Sequence, residues 1–242
     1  MQLLIRFSLL SILSAVLLLS CQAQTKQEKV NSRTLPTVEV NQQPEPVFGL
    51  PIEELDARFP DAEKAYFAGG CFWCTEAAFE RIKGVVEVYS GYSGGPEEDP
   101  TYREVASANT GHAEAVVVYF NPAEVSYETL LAVFFVSHDP TQLNRQGPDI
   151  GPQYRSAIFY LSPEQEAAAR IQIAELEESG KYARPIVTQL EMAENFYLAE
   201  DYHQDYYEQD RPPNYGYVMN VTKPKVEKVL ATFPELIKEE YQ

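Results

Sequence analysis

A two-layer α+β sandwich is the architecture this sequence predicts, and three observations predict it. Short apolar runs of strand length alternate with helical patterns. The helix starts carry capping residues, and glycine-rich turns separate the runs. Ala65-Tyr66-Phe67-Ala68 reads as a buried strand, followed by Gly69-Gly70 and a helical pattern from Phe72 to Lys83 that stops at Gly84. Val85 to Tyr89 alternates like a strand and runs into the turn Gly91-Tyr92-Ser93-Gly94-Gly95-Pro96. Ala113 to Phe120 is a second long β run, after which Ser126 caps a helix through Val136. Ser156 to Leu161 is a further strand. Ser162-Pro163-Glu164-Gln165 then opens a helix with a capping-box pattern and proline at its first position, ending near Gly180. Ile186 to Leu190 reads as the last strand, and Ala199 to Gln209 and Lys225 to Thr232 read as helices. That order places the helices on one side of a sheet. A ferredoxin-like core with long loops is the leading arrangement, with a doubly wound sheet as the alternative.

The chain has 242 residues, and one domain with a sizeable core remains after a leader and a tether are set aside. Acidic residues outnumber basic ones, 36 to 19, for a formal charge of -17. Such a balance argues against nucleic acid and against an electrostatic hold on anionic lipid, and otherwise reads as solubility.

Residues 1–20 read as a signal peptide: Arg6, then an uncharged run from Phe7 to Leu19 that is short for a membrane span. It ends in Leu18-Leu19-Ser20-Cys21, which resembles a bacterial lipobox. That resemblance implies a lipidated Cys21 as the new N-terminus, and an exported chain held at a bacterial membrane by lipid alone, on the periplasmic or cell-surface side. An ordinary cleaved signal is the alternative. Residues 21–59 are rich in Gln, Glu, Lys, Asn and Pro and read as a flexible tether, and the domain is expected over 60–242. A monomer is the default expectation.

Three cysteines cannot build a disulfide framework, so each needs its own explanation. Cys71 and Cys74 lie one turn apart where a strand ends and a helix begins, in Gly69-Gly70-Cys71-Phe72-Trp73-Cys74. Free N–H groups and partial positive charge at a helix start lower a thiol's pKa, so Cys71 is expected to be a thiolate. A structural disulfide, half a zinc site completed from His112, His138 and His203, and a redox-active thiol pair all fit the spacing. The redox pair best accounts for the flanking Gly-Gly and Phe-Trp. Taken alone it says thiol oxidoreductase, either a thioredoxin-like exchanger or an enzyme acting on another oxidised group.

Gly70-Cys71-Phe72-Trp73 resembles the signature of the methionine sulfoxide reductase A family. So do Gly91 to Gly95, Pro100 to Val105, Thr110 to Ala115, His138 to Gln142, Asp149, Gln153 to Ile158, Phe196-Tyr197 and Ala199 to Tyr207. The resemblance covers about residues 61–217. It implies an α/β two-layer fold and reduction of methionine S-sulfoxide, free or in proteins. Cys71 would attack the sulfoxide sulfur and Glu114, with a raised pKa, would protonate its oxygen. Tyr102 and Tyr154 would hydrogen-bond that oxygen. Phe72 and Trp73 would hold the methyl group, and Asp149 would order the polar side of the pocket, with His203 and Tyr206 as neighbours. His112 and His138 are expected to be structural hydrogen-bonders. No bound cofactor and no metal is implied, only an external thiol reductant of thioredoxin type.

The chain departs from the family pattern in its other cysteines. Where many relatives carry a resolving cysteine this chain has Ala106, and near the Tyr-Gly-Tyr segment it has Val218. It has Cys74 instead, so Cys74 is expected to condense with the Cys71 sulfenic acid, giving a disulfide that an external dithiol reduces. A one-cysteine cycle is the alternative within the family. Outside it, the alternatives are a general thiol–disulfide oxidoreductase and a non-enzymatic surface lipoprotein.

Overall fold

The computed structural model describes residues 46–242. The expected signal peptide at 1–20, Cys21 and the tether up to residue 45 lie outside the described residues. A short helix α1 (Ile52–Asp56) precedes strand β1 (Glu63–Gly69), helix α2 (Phe72–Glu80) and strand β2 (Val85–Ser93). One-turn helix α3 (Tyr102–Ala106), strand β3 (Ala113–Phe120) and helix α4 (Tyr127–Ser137) follow. A hairpin of β4 (Arg145–Gln146) and β5 (Asp149–Ile150) leads to β6 (Ser156–Tyr160) and α5 (Pro163–Glu178). Strands β7 (Gln189–Met192) and β8 (Phe196–Leu198) come next. A C-terminal helical element made of α6 (Tyr215–Tyr217), a π turn at Val218–Thr222 and α7 (Lys223–Thr232) follows, and then two 3-10 turns at Pro234–Leu236 and Glu239–Tyr241.

Six strands form one sheet in the order β7-β6-β1-β3-β2-β8, antiparallel except for the β6–β7 pair. Alternation along β3 explains its two faces: Val116, Val118 and Phe120 pack toward the helices, while Ala115, Val117 and Tyr119 belong to the core of the other face. On the helix side, Phe67 of β1 stacks on Phe79 of α2 and on Phe134 of α4, both at 5.0 Å between ring centroids. Each such buried ring contributes about 1.5–3 kcal/mol of hydrophobic stabilisation. The capping residues sit as expected: the Ser126 hydroxyl accepts from the Thr129 N–H and the Ser162 hydroxyl from the Gln165 N–H. Among the described residues no helix is long and apolar enough to cross a membrane.

Two expectations are corrected. Residues 46–59, assigned to the tether by composition, are packed on the sheet face that α2 and α4 leave open. Val47 and Leu55 are buried there, Phe59 lies 4.6 Å from Tyr119 between ring centroids, and Asp201 accepts from the Val47 N–H at 2.7 Å. The apolar side chains scattered among the prolines supply the surface that orders this stretch. The segment 199–209, expected to be helical, holds only a 3-10 turn at Asp201–His203. The Gln204 side chain competes with the helix: its amide donates to the carbonyls of Ser90 and Ala199 and its oxygen accepts from the Ser90 N–H. Asp205 then adopts φ 50°, which breaks any helix.

Candidate active site

Cys71 is the N-cap of α2, at the mouth between the end of β1 and the helix face of the sheet. Gly70 before it has φ +95°, and a Cβ there would lie 2.6 Å from the Gln146 side chain, so only glycine fits. Both sulfurs belong to buried, free cysteines. On β3, Glu114 shares the parity of Val116 and Val118, which turns its carboxylate toward α2. There it accepts the backbone N–H of Phe72 at 3.1 Å, at the free first turn of the helix.

Burial, opposed by the Phe72 N–H and by Lys225 and reinforced by Asp149 and Cys74, pushes the Glu114 carboxyl up to about 8. It is therefore a carboxylic acid at neutral pH, able to give a proton. Tyr102, at the start of α3, and Tyr154, just before β6, are both held as phenols, first by burial and then by the Glu114 and Cys71 charges. Two phenols and one carboxylic acid thus lie within electrostatic reach of the Cys71 sulfur.

The expectation that Cys71 itself carries a depressed pKa is not met. Burial and the neighbouring Cys74 push the Cys71 thiol well up, outweighing Lys225. Burial also raises Cys74, but its contact with Cys71, the Lys225 charge, and the neighbouring Thr222 and Tyr217 hydroxyls bring it down to about 6. The first proton therefore leaves the pair easily and the second with difficulty, as for any two close acidic groups. The resting negative charge is drawn toward Cys74.

The aromatic wall is built from both predicted residues. Trp73 stacks on Tyr206 at 3.7 Å with a 5° interplanar angle, and its indole N–H donates to His203 Nδ1 at 3.1 Å. Burial keeps His203 neutral, lowering its pKa to about 4 against the pull of Glu200. Phe72 lies 4.9 Å from the His203 ring and 6.5 Å from Tyr102 between centroids. Glu200 ties this wall to α3, accepting the Tyr102 N–H at 2.9 Å and the Tyr92 hydroxyl at 2.8 Å. Asp149 on β5 accepts the Tyr217 hydroxyl at 2.5 Å, and its carboxyl is raised by burial despite Tyr217 and Lys225.

The structure therefore gathers Cys71, Cys74, Glu114, Tyr102, Tyr154, Phe72, Trp73, Asp149, His203 and Tyr206 around one mouth. His112 and His138 are engaged elsewhere. The first accepts from the Gly95 N–H and bonds the Glu97 carbonyl; the second bonds the Phe134 carbonyl and the Ser156 hydroxyl. Among the described residues no group of three or more His, Cys, Asp or Glu is placed to hold a metal. A groove of about 680 Å³, lined in part by Phe48, Lys64, Tyr66 and Phe196, lies on the other face and holds none of these groups. Sequence reasoning missed Tyr217, Thr222, Lys225 and Glu200. Tyr217 had a weak signal, since it lies in the Tyr-Gly-Tyr segment already noted; a lysine has none of its own.

Known proteins resemble this chain over most of the described domain. The family model described as "Peptide methionine sulfoxide reductase" matches residues 63–235. The chain is 55% identical over 167 residues to "Peptide methionine sulfoxide reductase MsrA" of Deinococcus radiodurans, covering 69% of this chain and 80% of that protein. It is 51% identical over 191 residues to "Peptide methionine sulfoxide reductase MsrA 1" of Rhodopirellula baltica, covering 79% of this chain and 97% of that one. The solved structure of methionine sulfoxide reductase A of Corynebacterium diphtheriae superposes with a TM-score of 0.56 at 35% identity, covering 64% of this chain and 79% of that chain.

Proposed function

We propose how this chain, which belongs to the peptide methionine sulfoxide reductase family, divides the reduction of methionine sulfoxide among its residues. The observation that carries the assignment is the buried Glu114 on the N–H that follows Cys71, where burial pushes its carboxyl up to about 8. Disulfide exchange has no use for such an acid, and a sulfoxide oxygen needs one to leave. Cys71 attacks the sulfoxide sulfur while Glu114 passes its proton to the oxygen, and Tyr102 and Tyr154 donate hydrogen bonds to that oxygen. The protonated oxygen passes from the methionine sulfur to the Cys71 sulfur: one sulfur–oxygen bond breaks as the other forms, methionine departs as the thioether, and Cys71 is left oxidised as a sulfenic acid. Phe72 and Trp73 receive the methyl group on sulfur, which selects the S epimer.

Cys74 then attacks the sulfenic sulfur, the hydroxyl leaves as water, and a thioredoxin-like dithiol reduces the Cys71–Cys74 disulfide. The contact between the two thiols and the low pKa of Cys74 support this order. Turnover on separated methionine sulfoxide epimers with dithiothreitol tests the assignment. Wild type should reduce only the S epimer and Cys71→Ser neither; equal use of both epimers would remove the role given to Phe72 and Trp73.

Two finer points belong to the same reading. The order β6-β1-β3-β2 with α2 and α4 on one face supports the ferredoxin-like core. The Leu-Leu-Ser-Cys motif at 18–21 supports export and a lipid on Cys21, which places the reductase at a membrane surface. Metabolic labelling with a palmitate analogue, present in the full chain and lost in Cys21→Ser, tests the anchor.

A further inference from the structure

Three side chains of the C-terminal helical element reach Cys74. The Thr222 hydroxyl lies 3.3 Å from its sulfur, the Tyr217 hydroxyl, which donates to Asp149, stands beside it, and Lys225 sets a positive charge against it. The backbone explains why one element presents all three. Tyr217 and Thr222 are five residues apart, which on a regular helix of 3.6 residues per turn would splay them to different sides. The π turn at Val218–Thr222 widens that turn and realigns them, and Lys225 follows three residues on.

The Lys225 ammonium nitrogen is buried and has no hydrogen-bond partner among the described residues. It lodges 3.7 Å from where a Cβ at Gly70 would stand, against the loop that precedes Cys71. An ammonium removed from water needs a counter-charge close by. The acidic groups it acts on are Cys71, Cys74, Glu114 and Asp149. Glu114 is protonated; Asp149, which accepts the Tyr217 hydroxyl, shares the ammonium with the thiol pair, whose Cys71 directly follows the Gly70 that Nζ lodges against. His138, which also faces Lys225, is kept neutral by burial.

We propose that Lys225, with Thr222, forms a cradle that holds Cys74 as the thiolate and so sets the rate and pH at which the Cys71 sulfenic acid becomes a disulfide. The proposal rests on the reading of Cys74 as the resolving thiol. In that step a sulfur–sulfur bond forms as the sulfur–oxygen bond of Cys71 breaks. The Cys74 thiolate is oxidised, the sulfenic sulfur is reduced, and the hydroxyl leaves as water with one proton from solvent. Lys225 is a positioning residue here: it bonds no reacting atom and acts on the charge of one.

The test is a single turnover of the full chain with methionine S-sulfoxide and no reductant. Methionine and the disulfide are followed separately by rapid quench, across a range of pH. Lys225→Met should slow the disulfide step more than methionine release, by about twofold near pH 7 and about tenfold near pH 5, with its pH profile moved up by about one unit. Lys225→Arg should restore most of both. A Lys225→Met profile that overlays wild type overturns the proposal. If that variant fails to fold, Thr222→Val is read in the same way: a smaller shift upward is expected, and no shift overturns the cradle. Cys74→Ser is run alongside with a thioredoxin system. If it turns over at the wild-type rate, the resolving reading fails and the cradle has no step to serve. If it stalls while Lys225→Met is unchanged, the cradle alone fails.

Discussion

The backbone N–H of Phe72 donates to the Glu114 carboxylate at 3.1 Å, so the residue beside the nucleophile holds the acid. One hydrogen bond thereby fixes the distance between the two partners of the reaction, and it spans strand β3 and the first turn of α2. Its direction also moderates the acid, since the N–H lowers a pKa that burial raises.

Glu114→Gln keeps the shape of the acid and removes its proton. The loss in kcat/KM on methionine sulfoxide is expected to be about 10²–10⁴-fold, the usual contribution of a general acid. Glu114→Asp should fall between the two, because the shorter chain retreats from Phe72. A Gln variant within a few-fold of wild type would remove Glu114 from the mechanism.

The pH dependence of kcat/KM should be bell-shaped. The thiol pair must carry one negative charge, with Cys74 at about 6, and Glu114 must keep its proton, with a value of about 8. Activity therefore rises through the lower limb and falls through the upper. In Glu114→Gln the upper limb should disappear while the lower one stays, a pattern that residual activity is enough to reveal.

Stability should respond to Glu80 with the opposite sign to a paired surface carboxylate. Burial first, then Asp205, raises its carboxyl from 4.5 to about 8, although Arg81 pulls it back. Above the unfolded value the unfolded chain has lost this proton while the folded one retains it, so folding stability declines from about pH 4.5 to about pH 8. Glu80→Gln should remove this decline. Its melting temperature relative to wild type should climb across that window, by a gain on the order of 5 kcal/mol at the alkaline end. Parallel melting curves across the same range would contradict it.

Gly70→Ala should damage both stability and turnover. Its φ of +95° and the Gln146 side chain 2.6 Å from a new Cβ leave no relaxed conformation. A penalty of about 1–3 kcal/mol is expected, with a displaced Cys71 and a correspondingly lower kcat. Thermal melting and kcat measured on the same preparation check this together, and an unchanged value of either would show that the loop yields.

Much of the site was readable because its residues lie in short blocks with fixed local roles. Cys71 follows a glycine pair at a strand-to-helix junction, and Glu114 sits at a β position whose parity faces the helices. What escaped the sequence depends on distant chain closure. Lys225 and Thr222 reach Cys74 only because a π turn shifts the register of the last helical element, and no local pattern announces that turn. The thiolate was expected on Cys71 from the helix start alone. Burial raises both thiols and Lys225 lowers both; the hydrogen bond between the two thiols, with the Thr222 hydroxyl beside Cys74, tips the charge toward Cys74. Residues 46–59 misled through composition, because a few spaced apolar side chains are enough to cover a sheet face. The 199–209 stretch misled through periodicity, because one glutamine side chain outcompetes the helix for backbone partners.

The most direct test of the account is stoichiometric. Wild-type protein with excess methionine S-sulfoxide and no reductant should form one methionine per chain and stop. Peptide mapping should then find Cys71 joined to Cys74. Formation of no methionine, with both cysteines still free, would contradict the account at its centre.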